Sequence, residues 1–599
     1  MTLVSRRTFA ASAALAPAVA SLGLSQTALA DTSEPGEWDA AYDVVVVGLG
    51  LAGASAAIEA ADAGARVLVV EKCDSDHAGG CSRYAGQDIM LVNEGDRDAV
   101  VRYLADSRGF YDTPTDEALE QFVDGIIDAK SWVEAHGGNP IQTSEKTGRN
   151  HAVEGWELLG FWDHNGLHGN AGLYQLFCDI VASYDTVDVW FESPAEELIQ
   201  NGDGAVEGVV VSVEGAQRRV RAASVILASG GFEANQQMTR DFVGLPYCFA
   251  LGGFFNTGDG IVMAQKVNAD LRHMSKVANR ACAISWEHPG IPGFSIAGSF
   301  FGANSALAVS PDGLRFCNES GLASANHVGV IPCAHAVFDE AAFQTTIYAA
   351  WNNAEKLADG TIVSAENLDE LGDLLGLPQG SLATTVSGYN EFCAQGCDYA
   401  FGRPADNLVP LSETGPYYSF ELNPTYVHTF GGPRRSLQCE VLNLDGDVIP
   451  GLYGAGECGS MWIGVYEGGA ALGECMVSGR IAGAQAAKRA QEQPVELLTD
   501  AEAPAAINAD GLDIELGDGE TLGSAYGIGG LVVVKVTRDG DAITAVEVVH
   551  ENETPGIGSK AVDALPAEMV EKGDPDVDIV SGATVTSMAI TAAVKDALA

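Results

Sequence analysis

The chain has 599 residues, with 32 Lys or Arg against 82 Asp or Glu, and its formal net charge is -50. One hydrophobic core stops growing at roughly 250–300 residues, so this length predicts two or more domains. Such an acidic surface repels phosphate backbones, so we expect no nucleic-acid partner. The hydrophobic content of 47% is ordinary for a globular protein and argues against an intrinsically disordered chain.

The N-terminus has the pattern of an export signal. Arg6 and Arg7 precede an apolar, alanine-rich run that ends in Ala28, Leu29 and Ala30, a small-x-small cleavage pattern. Paired arginines in this position indicate the twin-arginine export pathway. We therefore predict a signal peptide at residues 1–30 and a mature protein in the periplasm or at the extracytoplasmic cell surface. No later apolar run reaches the roughly 20 residues of a membrane span.

The next segment predicts a strand–turn–helix–strand unit that binds a dinucleotide. Its parts are an apolar strand (44–47), a turn with Gly48, Gly50 and Gly53, an alanine-rich helix to about Ala63, and a strand (67–70) that ends at Glu71. Glycines let the backbone approach a pyrophosphate at the helix N-terminus, and the carboxylate can accept a hydrogen bond from a ribose hydroxyl. The complete unit is a much stronger indication than a lone glycine motif.

The C-terminal part of the chain predicts a separate small domain. Residues 494–507 have the composition of a linker, and two strand-like runs beyond it are joined at Asp539 and Gly540, which is a hairpin signal. The chain then places Ser581, Gly582, Ala583 and Thr584 before a predicted helix. Ser and Thr at a helix start either cap its free N–H groups or, in the sharper interpretation, offer a hydroxyl for covalent attachment.

The twelve cysteines are spread through the chain and do not form the pattern of a small disulfide scaffold. Cys393 and Cys397 are the one close pair, and incidental or buried thiols explain them better than a metal site does. We predict no metal. The chain has no C-x-x-C-H motif for haem attachment, so a respiratory electron donor would be a separate polypeptide.

Seven motifs in order along residues 40–492 resemble the fumarate reductase/ketosteroid dehydrogenase family of FAD flavoproteins. They are GLGLAG with Glu71, GGCSRYAG (79–86), VILASGGFEAN (225–235), NTGDGIVMAQ (256–265), DGLRFCNE (312–319), VSGYNEFCAQGCDYAFGR (386–403) and IPGLYGAGE (449–457). The resemblance implies an α/β fold, in which a Rossmann-like FAD-binding domain (36–281 and 429–493) carries an inserted α+β capping domain (282–428). A small α+β FMN-binding domain (508–599) follows the linker.

The resemblance also implies two cofactors. FAD would be held without a covalent bond, and the contact positions that carry over are Gly48, Gly50, Ala52, Gly53, Glu71, Ser82, Gly86, Asp259, Glu457, Ala471 and Leu472. The tail, ETPGIG (553–558) followed by VDIVSGATVTS, resembles the covalent FMN-binding domain of bacterial respiratory flavoproteins. There a flavin transferase joins the FMN phosphate to the last residue of S-G-A-T, here Thr584. A helix N-terminus favours the negative charge of such a phosphodiester.

The substrate-binding pattern departs from that of fumarate reductases, which hold a dicarboxylate with Arg and His side chains. Ala323 occupies the position of the proton-donating Arg, and Gly302 and Glu467 occupy two other Arg positions. A carboxylate that faces Glu467 without a guanidinium would be repelled. Fumarate is therefore a poor substrate prediction, unless an arginine takes over from a new position. The candidates for that role are Arg280, Arg434 and Arg435.

Three residues are candidates for catalysis. His288 and His428 occupy histidine positions of the fumarate reductases, and Tyr466 in GVYEGGAALG resembles the ketosteroid dehydrogenase Tyr that polarises or protonates a substrate carbonyl. An ordinary packed ring is the alternative interpretation of Tyr466.

We predict an exported anaerobic respiratory reductase that transfers hydride from FAD to an activated C=C bond of an α,β-unsaturated carbonyl or carboxylate compound, and that receives electrons through covalent FMN. It would need a small-molecule acceptor, a separate membrane-bound or exported electron-donor protein, and a flavin transferase. One alternative is a 3-ketosteroid-type dehydrogenase, and another is a fumarate or urocanate reductase with a rearranged carboxylate clamp. A third is a pure electron-transfer protein.

Overall fold

The computed structural model describes residues 38–109, 111, 113–151, 153–166, 172–283, 294–295, 300–321, 331–347, 352–462, 467–498, 514, 516–517, 519–527, 531–540, 542–551, 553, 558–577, 580 and 583–598. The predicted signal peptide, most of the predicted linker, His288 and Tyr466 lie outside these residues. Within the described residues, every helix is too short or too polar to cross a membrane.

The strands are, in chain order, β1 (Ala40–Val47), β2 (Val67–Val70), β3 (Ile89–Leu91), β4 (Pro140–Glu145), β5 (Gly160–His164), β6 (Val187–Trp190), β7 (Ala195–Gln200), β8 (Val206–Val213), β9 (Ala216–Leu227), β10 (Phe249–Ala250), β11 (Leu271–Arg272), β12 (Val277–Ala283), β13 (Phe294–Ser295), β14 (Ala306–Val309), β15 (Ala334–Asp339), β16 (Val363–Ala365), β17 (Tyr417–Thr429), β18 (Gly432–Pro433), β19 (Glu440–Leu442), β20 (Val448–Gly454), β21 (Glu520–Tyr526), β22 (Leu531–Asp539) and β23 (Ala542–His550).

The α-helices are, in chain order, α1 (Leu51–Asp62), α2 (Gly80–Tyr84), α3 (Arg97–Ser107), α4 (Asp116–Ala135), α5 (Gly172–Ala182), α6 (Gln236–Met238), α7 (Asp259–Lys266), α8 (Phe300–Ala303), α9 (Glu340–Phe343), α10 (Asn353–Ala358), α11 (Leu368–Leu374), α12 (Ser381–Gln395), α13 (Ala470–Glu492), α14 (Ser559–Lys572) and α15 (Thr584–Leu598).

The largest sheet contains the predicted dinucleotide-binding unit. Its order is β19-β20-β9-β1-β2-β6, and β7 and β8 extend it from β9. The neighbours β20, β9, β1, β2 and β6 are parallel, as in Rossmann-like folds. All but one residue of the valine-rich β1 are buried, because both faces of a parallel sheet are covered. The predicted strands, glycine turn and alanine-rich helix are confirmed.

Helices α1 and α13 pack backbone to backbone beside this sheet. Ten of the 12 residues of α1 are buried, and most of them are Ala or Gly. A Cβ added to Gly479 of α13 would lie 2.4 Å from the carbonyl oxygen of Ala52, and one added to Gly483 would lie 2.3 Å from that of Ala56. This close approach fixes α1, whose N-terminus borders the predicted nucleotide site.

A second large sheet is built from strands between residues 249 and 429, most of which lie within the predicted capping domain (282–428). Its order is β13-β12-β17-β15-β14, and β10 and β16 also pair with the long strand β17. Aromatic side chains dominate its core, among them Phe300, Phe338 and Phe420. The mixture of strands and short helices in this layer confirms the predicted α+β class.

Two of the motifs that carry the family resemblance meet in buried ion pairs of this layer. Arg315 Nε lies 2.7 Å from Glu319 Oε1, and its Nη2 lies 2.9 Å from Asp398 Oδ2. Arg403, which is also buried, donates to the carbonyl oxygen of Ala306 at 2.9 Å. Removing one partner of a buried pair costs roughly 3–5 kcal/mol, because it leaves a buried charge without its partner.

The C-terminal domain is a three-stranded sheet, β21-β22-β23, with α14 and α15 packed on it. Strands β22 and β23 form the predicted hairpin, in which Asp539 pairs with Ala542. Helix α15 begins at Thr584, so the predicted helix after S-G-A-T is confirmed. The apolar faces of the sheet and of α15 meet through Val532, Val534 and Ile590, which are fully buried.

The C-terminal domain also contacts the segment that links β2 to α2. Arg83, which is 3% exposed, donates from Nη2 to the carbonyl oxygen of Gly527 at 3.3 Å. Asp76 accepts the N–H of Leu531 at 3.3 Å through Oδ1, and its Oδ2 lies 3.3 Å from Nε2 of His550. Polar side chains from the first 85 residues of the chain therefore hold the last domain in place.

Candidate active site

The turn between β1 and α1 brings bare backbone to the edge of a cleft. Gly48 has φ of +100°, and an added Cβ would lie 2.8 Å from the carbonyl oxygen of Ala228, so only glycine suits this position. Gly50, which precedes α1, has no side chain to cap the helix; apart from the N–H of Leu51, which Ser82 accepts, this leaves first-turn N–H groups for an anionic ligand. Gly53 does not line the cleft. Its Cβ would lie 1.9 Å from the carbonyl oxygen of Gly48, so it acts by close packing.

The end of β2 supplies the acidic residue expected at a ribose. Glu71 is 7% exposed, and its carboxylate accepts the N–H groups of Leu49 at 2.9 Å and Cys73 at 3.0 Å. The neighbouring Lys72 donates to Asp259 Oδ2 at 2.7 Å. These contacts hold one end of the cleft in a defined shape.

We call the elongated space along these residues the dinucleotide cleft. Its lining includes Gly48, Gly50, Ala52, Glu71, Ser82, Asp259 and Glu457. Ser82 Oγ accepts the N–H of Leu51 at 3.0 Å and so joins the α2 segment to the start of α1. An uncapped helix start between an acidic end and a glycine-lined wall fits the pyrophosphate and ribose of FAD.

A second space, the ring-end cavity, continues from the dinucleotide cleft. The two share Cys81, Ser82, Glu457 and Cys475 as lining residues. The other described lining residues include Tyr84, Gly86, Asp88, Leu251, His428, Ser460, Ala471, Leu472 and Glu474. Helix α13 begins beside this cavity at Gly469, again without a side-chain cap. This largely apolar space fits the ring system of FAD together with a substrate.

A buried acid pair lies where the cleft and the cavity meet. Glu233 Oε1 accepts from the Cys81 thiol at 2.8 Å and from the Asn256 amide at 2.5 Å, and Glu457 Oε1 accepts the N–H of Thr429 at 2.8 Å. Burial raises the pKa of both carboxyl groups, and the Glu233 charge raises that of Glu457 further. One shared proton would make the pair both donor and acceptor, which suits cofactor hydroxyl groups.

Comparison with known proteins agrees with this geometry. Residues 43–472 match a family model described as FAD binding domain. The chain belongs to this FAD-binding family. Residues 527–599 match a second model, described as FMN-binding domain. This flavoprotein is therefore an FAD-dependent oxidoreductase with a C-terminal FMN-binding domain, and FAD and FMN are its cofactors.

Relatives of the flavoprotein include several named oxidoreductases. It is 31% identical to NADH:fumarate oxidoreductase of Klebsiella pneumoniae over 77% of this chain, and it spans only 49% of the length of that protein. It is 29% identical to fumarate reductase (cytochrome) of Shewanella frigidimarina, over 74% of this chain and 77% of the relative. The solved 3-ketosteroid-Δ4-(5α)-dehydrogenase of Rhodococcus jostii RHA1 is 25% identical, with a TM-score of 0.59 over 76% of this chain and 99% of that one. The predicted fold class and family resemblance are confirmed.

Arg434 and Arg435 do not rebuild a carboxylate clamp in the ring-end cavity. Arg434 Nη1 lies 3.4 Å from Asp270 Oδ2, and Arg435 forms an ion pair with Glu474. Both arginines line a third space on the far side of Glu474. Neither arginine lines the ring-end cavity, the side chain of Arg280 lies outside the described residues, and the rearranged clamp stays a prediction.

Glu467 also lies elsewhere than the sequence suggests. Its Oε1 accepts from the Tyr103 hydroxyl at 2.7 Å, and its Oε2 accepts the N–H of Arg149 at 2.9 Å. It is 2% exposed and lines neither the cleft nor the cavity. Burial raises its pKa. The expectation that Glu467 would face and repel a bound carboxylate is therefore wrong.

Of the three candidate catalytic residues, the structure places one. His428 lies on β17, is 6% exposed and lines the ring-end cavity, and its ring lies 4.8 Å from that of Phe430 at 86°. His288 and Tyr466 lie outside the described residues. Sequence reasoning missed Glu233 and Cys81, although both occur in the quoted motifs GGFEAN and GGCSRYAG.

A further buried carboxylate, that of Glu553, contacts the start of α15. Its Oε2 accepts from the Thr586 hydroxyl at 2.6 Å, and a Cβ at Gly527 would lie 1.8 Å from its Oε1. Gly558 also lies close to it, since a Cβ there would lie 2.8 Å from Glu553 Oε2. The ETPGIG motif and the S-G-A-T helix therefore meet, as a shared FMN site requires. The side chain of Thr584 lies outside the described residues.

Proposed function

We propose that this flavoprotein reduces a carbon–carbon double bond conjugated to a carbonyl group, and that its acceptor is uncharged at the reacting end. One observation carries the proposal. Among the described residues that line the ring-end cavity, His428 is the one basic side chain, whereas Asp88, Glu457 and Glu474 are acidic. A buried substrate carboxylate without a guanidinium partner would cost several kcal/mol.

Bound FAD supplies the hydride in such a reaction. The chain has to orient the acceptor, polarise its carbonyl and provide a proton. His428, which lines the cavity, is the proposed contact of the carbonyl, and Tyr466 and His288 are the further candidates from the sequence. The walls at Gly252 and Gly469 are closely packed, since a Cβ at Gly469 would lie 2.4 Å from the N atom of Met90.

The proposed electron source is FMN attached covalently to Thr584 by a flavin transferase. The contacts of Arg83 and Asp76 with the C-terminal domain support this role, because they hold that domain against the segment that contains Cys81 and Ser82 of the cofactor site. A separate redox protein would reduce the FMN. The twin-arginine signal at residues 1–30 supports the proposal that this happens outside the cytoplasm, in anaerobic respiration.

A ketosteroid-type dehydrogenase is the second candidate. The same cavity lining favours it, because a neutral ketosteroid also needs no guanidinium, and the solved dehydrogenase covers three quarters of this chain. The FMN-binding domain favours the reductive direction, since it resembles a module that a donor protein reduces.

The test compares two acceptors that have the same double bond, one with a charged carboxylate and one with a neutral ester. The reduced, flavinylated holoprotein is mixed anaerobically with cinnamate or with methyl cinnamate, and flavin absorbance follows reoxidation. We expect the ester and neutral steroid enones to reoxidise it at least about tenfold faster than the acid, because one unpaired buried charge costs more than the 1.4 kcal/mol of a tenfold ratio. Faster reoxidation by cinnamate, fumarate or urocanate would refute the proposal.

The dehydrogenase candidate predicts a different result in the same apparatus. A saturated ketosteroid would bleach the flavin of the oxidised protein, and enones would reoxidise the reduced protein slowly. Failure of every organic acceptor, with fast electron exchange to another redox protein, would instead indicate a pure electron-transfer protein.

A further inference from the structure

The third space, here called the rear cavity, lies behind the ring-end cavity. Its described lining includes Phe122, Arg272, Phe430, Arg434, Arg435, Leu437, Ser460 and Glu474. The side chains of Arg272 and Arg434 are 40% and 35% exposed, and Leu437 is 38% exposed, so the mouth of this cavity is open to solvent. Water can therefore reach its inner wall.

Ser460 and Glu474 line both the rear cavity and the ring-end cavity. Both are nearly inaccessible, at 7% and 3% exposed. The Ser460 hydroxyl donates to Glu474 Oε2 at 2.6 Å, and Oε1 accepts the N–H of Met461 at 3.0 Å as well as pairing with Arg435. A thin wall of two proton-carrying side chains thus separates solvent from the proposed reaction site.

We propose that Glu474 and Ser460 form a proton relay from the rear cavity to the ring-end cavity. This inference rests on the proposed function, because reduction of a double bond consumes a proton. The acceptor would take one hydrogen with two electrons as hydride from reduced FAD and one proton from the Ser460 hydroxyl, which in the same step takes the proton of neutral Glu474. A proton from bulk solvent, carried through the water of the rear cavity, then restores the neutral Glu474 carboxyl.

The surroundings of Glu474 suit a group that gains and loses a proton. Burial raises its pKa, while Arg435 acts in the opposite direction and keeps the ionised form accessible. The Glu474 charge in turn raises the pKa of Glu457 and of Cys475, which line the cofactor spaces. A hydroxyl such as Ser460 can rotate, so it can donate to either cavity in turn.

The relay gives this chain a proton source that does not depend on the missing arginine. Ala323 stands where fumarate reductases are expected to have their proton-donating Arg. Glu474 and Arg435, in contrast, belong to the FAD-binding domain and are joined across 39 residues of sequence.

The test compares Glu474→Gln and Ser460→Ala with Glu467→Gln. Glu467 is an equally buried carboxyl near the start of the same helix, but it lines neither of the two cofactor spaces, so it is the matched control. Each reduced holoprotein is reoxidised by methyl cinnamate, which needs a proton, and by ferricyanide, which needs only electrons. We expect both relay variants to be about 100-fold slower with methyl cinnamate and unchanged with ferricyanide.

Equal rates for wild type and both relay variants would overturn the relay, and so would equal slowing with both oxidants, which indicates structural damage. Ser460→Ala leaves the Arg435–Glu474 ion pair intact. Its rates with the two oxidants therefore test the relay even if Glu474→Gln folds poorly.

Infrared difference spectra of chemically reduced against oxidised protein provide a reading that needs no acceptor. We expect a neutral-carboxyl band that Glu474→Gln abolishes and Glu467→Gln keeps, and its absence would contradict the relay. If methyl cinnamate fails to reoxidise even the wild type, the proposed function is refuted separately.

Discussion

Replacement of Gly483 by alanine tests the backbone-to-backbone packing of α13 on α1. The new Cβ would lie 2.3 Å from the carbonyl oxygen of Ala56, whereas ordinary contact begins at 3.4 Å, so the helices would have to separate by about 1 Å (3.4 minus 2.3). The obstacle is backbone within a helix, which cannot rotate away as a side chain can.

Two opposite effects determine how much Gly483→Ala changes the free energy of unfolding. Ala is favoured over Gly within a helix by about 1 kcal/mol, and overpacking a closely packed interface costs about 1–3 kcal/mol. A contact this short belongs near the upper end of that cost, so we expect Gly483→Ala to destabilise the protein by about 1–2 kcal/mol. The apparent melting temperature should fall by roughly 1–2 °C, because a chain this long has an unfolding entropy of about 1.2 kcal/mol/K.

The assay is thermal unfolding of the FAD-loaded protein, with Gly388→Ala as the matched control. Gly388 lies within α12, and a Cβ there would meet no atom within 4 Å. The same chemical change should therefore stabilise the protein by about 0.4–1 kcal/mol at this position. A Gly483→Ala protein that melts at or above the wild-type temperature, while Gly388→Ala shows its gain, would refute the packing argument.

Two further predictions concern the cofactors. Thr584→Ala should remove the FMN mass from the C-terminal peptide in mass spectrometry and leave FAD bound, whereas Thr591→Ala should keep both; retained FMN mass in Thr584→Ala would place the attachment elsewhere. Because the folded-state pKa of Glu457 is raised above its ordinary value of 4.5, its contribution to the stability of the FAD-free protein is present at low pH and is lost as pH rises. Melting temperatures of the FAD-free protein from about pH 5 to about pH 8 should thus fall less steeply in Glu457→Gln than in the wild type, and equal slopes would contradict the shared-proton assignment.

Prediction from the sequence succeeds best where the local backbone geometry itself requires particular residue types. The valines of β1 and β2, Gly48 in its left-handed conformation and the Asp539–Gly540 hairpin are required by backbone geometry within a few residues. The family motifs extend this success to the cofactor spaces, because most carried-over contact positions do line them.

Long charged side chains were harder to place, because their partners are distant in sequence. Arg435 lies a few residues beyond His428 of the ring-end cavity, but its guanidinium pairs with Glu474. Glu467 accepts a hydrogen bond from Tyr103, which is 364 residues away in the sequence. Only the tertiary packing decides which of two nearby spaces such a side chain enters. The domain boundaries, the attachment at Thr584 and the export pathway stay predictions.

The order of strands in the main sheet has a consequence for how the protein is made. The end of β9, at 225–227, lies between β1 and β20, but β20 is the last of the three to be synthesised. From the end of β9 at Leu227 to the end of β20 at Gly454 there are 227 residues (454 minus 227). At 5–20 residues per second the ribosome needs roughly 11–45 s for them. During that time one edge of the nascent sheet has no partner strand, and Glu457 and Cys475 of the cofactor site do not yet exist. The cofactor site is therefore complete only after residue 475 of 599 has been synthesised.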